Sequence, residues 1–410
     1  MNNTPELLSP AGDLDKMRFG IAYGADAVYM GGTRFGMRAA ATNFDDNALR
    51  EGIAYAHAHG VKCYITVNIM PSNRDLPALP AYLELLQDAG ADALIIADVG
   101  VLRMARRYAP KVPVHISTQT SILNHEAANY WADEGAERIV LARELSLEEI
   151  AEIRAKTPKE LEIEAFVHGA MCISYSGRCL ISQYMTGRDA NHGACAQPCR
   201  WNYSLMEEKR PGQFFPVEED GRGTYLYNSK DMCMIEHVPE LIEAGITSFK
   251  IEGRNKTAYY AACVTGAYRA AIDAYRKDPN GFVLPQFCRD EVNKVSHREY
   301  YTGFYFGNQE NGQHYGDSQY IREYEVVGMP VECDDSGKAV FALKNRFFDG
   351  EELELIQPGQ VPYVFRAENV TDDEGTKREL FNVPQMRVHF AFPFKVSEWA
   401  ILRKVKERPE

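Results

Sequence analysis

Gly90-Ala91-Asp92-Ala93-Leu94-Ile95-Ile96-Ala97-Asp98 is the stretch on which the reading of the fold turns. A glycine ends the amphipathic run before it, small residues leave room for a close turn, an apolar β-rich run follows, and the run stops at a carboxylate. Such a segment joins a helix to a strand. The same order returns at Gly24-Ala25-Asp26-Ala27-Val28 and at Gly135-Ala136-Glu137-Arg138-Ile139.

Outward from these joints the chain alternates short strands with helical spacing. Strands are expected at 6–11, 27–32, 62–68, 93–98, 113–118, 138–143, 162–169 and 248–254. Helices are expected at 17–23, 48–59, 79–89, 101–108, 125–134 and 147–156, where apolar residues recur every three or four positions. Eight strands with helices between them favour a parallel, closed α/β arrangement, a (β/α)8 TIM-like barrel. The competing open, doubly wound sheet lacks its usual G-x-G-x-x-G after the first strand.

The barrel is assigned residues 1–285, with a cysteine-bearing insertion at 170–247 before the eighth strand. That insertion should hold a hairpin from 202–206 to 224–228 and a helix at 235–244, and a further helix at 259–276 continues the wall. Residues 286–319 read as a linker. From 320 to 410 short alternating runs at 323–327, 338–343, 352–356, 363–367 and 387–391 read as a small C-terminal β-barrel domain, and the basic end from Lys404 to Arg408 as a solvated tail.

Composition excludes several classes. With 45% apolar and 25% charged residues and no apolar run near the roughly 18 needed for a span, this is not a membrane protein. The first residues carry no basic start or apolar signal core, so a cytoplasmic location and reduced thiols are expected. A net charge of -13 argues against a general nucleic-acid surface but leaves room for a local basic patch, drawn from Arg34, Arg38, Arg103, Arg106, Arg107, Lys111, Lys209, Arg210 and Lys256.

Barrel chemistry belongs at the C-terminal ends of the strands. The residues there are Pro10 to Gly12, Gly31, Gly32, Asn68, Asp98, Ser117 to Gln119, Arg143, Glu144, His168, Gly169 and Lys250 to Arg254. Glu164 and His168, four apart on one strand, should face the mouth together and move protons. Lys250 and Arg254 are suited to an anion with two carboxylates.

Cys172, Cys179, Cys195, Cys199 and Cys233 crowd into or beside the insertion, while Cys63, Cys263, Cys288 and Cys333 stand alone and read as small buried residues. Zinc favours C-x₂₋₄-C knuckles, and only Cys195 and Cys199 have that spacing, so a [4Fe–4S] cluster on scattered thiolates fits slightly better. Arg178, Arg188 and Arg200 could offset the charge of such a cluster, with Arg200 tuning it. H-E-x-x-H, G-x-S-x-G, the P-loop and the radical-type C-x₃-C-x₂-C are all missing from the sequence.

Six motifs in order, Glu6-Leu7-Leu8-Ser9-Pro10-Ala11-Gly12, Phe166 to Cys172, Ser174 to Cys179, Cys195-Ala196-Gln197-Pro198-Cys199-Arg200, Asn228-Ser229-Lys230-Asp231 and Lys250-Ile251-Glu252-Gly253-Arg254, resemble the collagenase-like U peptidases of U32 type over the whole chain. The resemblance implies either a peptidase or an oxygen-independent hydroxylase, with members acting on ubiquinone precursors, ribosomal RNA, or the wobble uridine of tRNA with prephenate as oxygen-atom donor. It implies a [4Fe–4S] cluster on Cys172, Cys179 and Cys195, with Cys233 favoured over Cys199 as the fourth ligand. Thiols over the site favour tRNA uridine hydroxylation over proteolysis, with Glu164, His168 and Glu252 as the catalytic candidates; a peptidase would have only these three to draw on. The substrate side is then assigned to Arg200, Lys250 and Arg254. A non-catalytic RNA-binding role, or action with a paralogous subunit, is the remaining reading.

Overall fold

Helix starts decide where the chain turns back. The computed structural model describes residues 4–36, 43–172, 174–176, 179–201, 205–206, 214–215, 219–220, 223–224, 230–307 and 320–406. Strands β1 (Glu6–Ala11), β2 (Ala27–Gly31), β3 (Lys62–Val67), β4 (Ala93–Ile96), β5 (Val114–Ile116), β6 (Arg138–Val140) and β7 (Glu162–Ala170) alternate with helices α1 (Leu14–Ala22), α2 (Asp46–Ala58), α3 (Leu79–Ala89), α4 (Val99–Tyr108), α5 (His125–Asp133) and α6 (Leu147–Ala155). Asp13, Asp45, Asp98 and Asn124 each accept a backbone N–H of the helix that follows, and Ser146 with Glu149 forms a capping box on α6. Gly90, at φ 83°, closes α3 in the left-handed conformation that the opening stretch requires.

The sheet closes. All eight strands run parallel in the order β9 (Ser248–Ile251), β1, β2 and so on to β7, and β7 pairs back onto β9. Apolar side chains fill two separate spaces. Leu8, Ala27, Tyr29, Tyr64, Ala93 and Ile95 pack inside the barrel, while a much larger core lies between the strands and the helices. The expected strands end two to three residues too late at 93–98, 113–118, 138–143 and 248–254, because the polar residues after each pairing edge belong to caps and turns.

The insertion is built differently from the expected hairpin. Leu205–Met206 pairs with Phe214–Phe215, and Glu219–Asp220 with Gly223–Thr224; the remainder of 202–229 lies outside the described residues. Helix α7 (Ile181–Thr186) precedes it. Strand β8 (Asp231–Cys233) then runs antiparallel to the top of β7 and parallel to Tyr300–Tyr301, widening the barrel wall on one side. Of the helix expected at 235–244, a 3-10 turn at Ile235–His237 leads into α8 (Val238–Glu243).

After α9 (Ala258–Lys277), the segment read as a linker carries α10 (Gln286–Asn293), packed on α9. The C-terminal domain is a curled antiparallel sheet of seven strands in the order 363–366, 352–356, 401–405, 324–333, 338–343, 387–391 and 371–372, a half-barrel around Val327, Phe341, Leu353, Val388 and Leu402. The solvated tail is corrected here. Lys404 lies in the central strand Ile401–Val405 and its Nζ donates to Glu351 at 2.8 Å. Arg403 beside it is wholly buried between Glu291 on α10 and Glu354, joining the two domains.

Candidate active site

Charged residues at inward positions make the barrel interior polar. Arg138 on β6 is buried, and its guanidinium donates to Glu6 at 2.6 Å, Glu162 at 2.7 Å, Glu164 at 3.0 Å and the Ser248 hydroxyl at 3.2 Å. Burial pushes the Glu6 carboxyl up, but the charge and hydrogen bonds of Arg138 outweigh it and hold the group below its ordinary range. Glu164, fully buried, also takes a 2.7 Å hydrogen bond from Lys250 Nζ. That ammonium lies 4.4 Å from the centre of the Tyr29 ring. His115 on β5 packs edge-on against Tyr64 at 4.6 Å, and burial, then the charges of Arg138 and Lys250, keep it neutral far below the usual histidine range. Sequence reading missed Arg138 and His115. The available signal was period two: a cation or a histidine on the inward side of a barrel strand, facing inward carboxylates on its neighbours.

Above this layer the mouth is lined by donors. Arg254, buried, reaches from the end of β9 across to Thr66 Oγ1 on β3 at 3.2 Å and lies against Gly31, where any side chain would collide with it. Arg143 stacks on the Phe166 ring at 3.8 Å and donates to the Ala170 carbonyl at 2.8 Å, and its Nε has no partner among the described residues. Ser117 Oγ accepts the backbone N–H of Gln119 and gives its own proton to Gln119 Oε1 at 3.1 Å. That arrangement leaves the Gln119 Nε2 donor buried and unpartnered. Buried donors with nothing to bind are costly in a native fold, so they mark where a ligand's acceptors belong. Asp98, by contrast, is spent on capping α4.

Glu164 and His168 do not share a face. The pairing of β7 with β9 slips between Lys250, opposite Phe166, and Ile251, opposite His168. This bulge turns His168 outward, among Tyr260 and Tyr268 of α9 and Tyr300, whose hydroxyl lies 3.3 Å from Nε2. Burial, then His297 and Lys256, push His168 down to about 3, so it is neutral. Glu252 stays at the mouth, with its Oε2 3.4 Å from the Tyr29 hydroxyl and its carbonyl accepting from Tyr260.

All nine cysteines are free thiols. Cys172 follows β7 by two residues and is exposed, as is Cys195; Cys179 and Cys199 are half-buried. Cys233 lies opposite His168 on β7, the strand that ends at Ala170, before Cys172. Burial pushes its thiol up to about 12, against hydrogen bonds from the Ile235 backbone and Tyr268. The donor set has the chemistry of a thiolate-ligated cluster, but among the described residues no three His, Cys, Asp or Glu are gathered as a metal requires. The Arg178 position and the Arg200 side chain lie outside the described residues. Of the candidate basic patch, Arg34 pairs with Asp46 and Arg106 with Glu134, while Arg38, Lys209 and Arg210 lie outside the described residues. No described helix is long and apolar enough to cross a membrane.

Comparison with known proteins adds the relationship. Residues 12–315 match the model of Peptidase family U32, and residues 322–403 that of the Peptidase family U32 C-terminal domain. The chain is 39% identical over 404 residues to tRNA hydroxylation protein P1 of Bacillus subtilis, covering 98% of this chain and 95% of that one. It is 38% identical over 400 residues to tRNA hydroxylation protein P of Escherichia coli, 86% of each chain. The 23S rRNA 5-hydroxycytidine C2501 synthase of Escherichia coli is 36% identical over 332 residues, 80% of this chain and 48% of that protein.

Proposed function

The chain belongs to peptidase family U32, and from that membership we propose that it is a hydroxylase of tRNA, acting on the wobble uridine without molecular oxygen. The observation that carries this reading is similarity along nearly the whole chain to proteins named for tRNA hydroxylation. The mouth supports it. Arg254 and Arg143 suit an anionic co-substrate with two carboxylates, for which prephenate is proposed, and Gln119 Nε2 suits a carbonyl acceptor such as those on a uracil ring. Lys250 is engaged by Glu164 below them, so its part is to set the charge of the pocket floor.

Redox chemistry is assigned to a [4Fe–4S] cluster on Cys172, Cys179, Cys195 and Cys233, with Cys199 as the alternate fourth ligand; it requires the insertion to gather these thiols. A second chain of the same family is a candidate partner. The peptidase reading is weakened because its acid–base candidates do not meet: Glu164 is held by Arg138 and Lys250, and His168 faces α9.

Two measurements test the proposal. Anaerobically purified protein should contain about four irons and four sulfides per chain, lost in Cys172→Ala and Cys179→Ala. Nucleoside mass spectrometry of tRNA from cells lacking the gene should show loss of 5-hydroxyuridine-derived wobble nucleosides, restored by the wild-type chain. Metal-free protein, or an unchanged nucleoside profile, refutes it.

A further inference from the structure

Three cations from two separate segments of the C-terminal domain meet around one cleft of about 410 Å³. Lys344 and Arg346 follow the strand Lys338–Leu343, and Lys406 follows the last strand, some sixty residues later. Their backbone is fixed. The N–H groups of Lys344 and Asn345 both donate to the Val327 carbonyl, Asn345 Nδ2 donates to Val326 at 2.8 Å, and the N–H of Lys406 donates to Glu323 at 2.6 Å. All three cationic residues are exposed, and Asn382 adds an amide to the lining.

Several other cations of this domain are matched to acids: Arg378 to Asp372, Lys395 to Asp335, Lys404 to Glu351. Lys344 and Lys406 make no ion pair among the described residues. The one carboxylate in the lining, Glu325, lies 3.8 Å from Lys404 Nζ. In a chain of net charge -13, Lys344 and Lys406, brought from distant segments to one concave surface without an ion pair among the described residues, define an anion site, and repeated anionic charge on a large partner suits it better than a single small ion.

We propose that this cleft binds backbone phosphates of the RNA substrate, so that the C-terminal domain grips the RNA while the barrel acts on the base. This rests on the reading of tRNA as substrate. It gives the half-barrel a purpose that the barrel mouth does not supply, since phosphate contacts position a polynucleotide without reading its sequence.

The test is binding of unmodified transcript tRNA to the full chain by fluorescence anisotropy from 50 to 200 mM KCl. Wild type, Lys344→Glu/Lys406→Glu, and Lys344→Arg/Lys406→Arg are compared, with thermal unfolding of each. The glutamate pair should bind roughly tenfold or more weakly at ~100 mM salt, with a log–log salt slope shallower by about 1–2, while the arginine pair stays near wild type. Unfolding should be unchanged, since neither lysine has a partner to lose. Equal affinity and slope in the glutamate pair overturn the proposal. So does a result in which these substitutions abolish stabilisation by inorganic phosphate but leave tRNA binding intact, which assigns the cleft to a small anion. Failure of the wild type to bind tRNA overturns the substrate reading itself, and the cleft assignment with it.

Discussion

A double-mutant cycle on Glu164 and Lys250 separates a structural floor from a free catalytic pair. The two side chains meet at 2.7 Å in a fully buried setting. At an effective dielectric of ~20 the attraction at that distance is bounded near 6 kcal/mol, and desolvation of both ions offsets much of it. Removing one partner of a buried pair costs about 3–5 kcal/mol, because the survivor is left uncompensated. Lys250→Met should fall near ~3 kcal/mol, since Glu164 keeps Arg138 at 3.0 Å. Glu164→Leu should cost ~4 kcal/mol, because it strands Lys250 and takes one of five acceptors from Arg138. In the double variant Arg138 still holds Glu6 and Glu162, so the loss should be ~4 kcal/mol rather than the ~7 of the summed singles, a coupling of about 3 kcal/mol. Urea denaturation followed by circular dichroism measures all four proteins. Additive losses, within ~0.5 kcal/mol, would refute the pairing and return Lys250 to the list of free ligand-binding cations.

Three further outcomes follow from particular contacts. His115 is held neutral when folded but takes a proton near pH 6.5 when unfolded, so the unfolded chain binds more protons below that pH and stability falls as pH drops through it. His115→Gln should make the dependence between pH 7 and pH 5 shallower, His168 and His297 supplying the remainder, and an unchanged slope in urea midpoints would count against this. Gly31→Ala places a methyl against the Arg254 guanidinium and 2.8 Å from Thr66 Oγ1. It should raise KM for the anionic co-substrate by roughly tenfold, about 1.4 kcal/mol, with kcat changed less, and steady-state kinetics decide. Arg403→Met leaves buried Glu291 and half-buried Glu354 with Lys294 as their remaining cation at the domain junction and should destabilise by about 3 kcal/mol; a loss below ~1 kcal/mol in the same urea assay contradicts that role.

Each of these side chains tests how far local pattern reaches. Glycine joints such as Gly90-Ala91-Asp92 were legible because the left-handed residue that ends a helix is set by its own backbone, and β1, α3 and the strands at 338–343, 352–356 and 387–391 have the expected bounds. The roles of Arg254 and Gln119 as mouth residues follow from strand ends alone. His168 was misplaced because one bulge inverts every later side chain on its strand, and nothing in Phe166-Val167-His168 marks where pairing with a segment some eighty residues away will slip.

Charge is harder still. Arg403 and Lys404 have the composition of a solvated end, yet both are buried, because their carboxylates come from Glu291, Glu354 and Glu351, some 50 to 110 residues earlier. A basic residue's fate depends on whether tertiary structure brings an acid to it, and the same logic runs in reverse for Lys344 and Lys406. The sheet that finds a partner for Lys404 leaves its neighbour two residues on without one among the described residues, at the rim of a cleft. Unmatched charge placed by the same strand that matches its neighbours points outward to a partner, which is why the RNA grip is sought in the small domain and not among the surface arginines of the barrel.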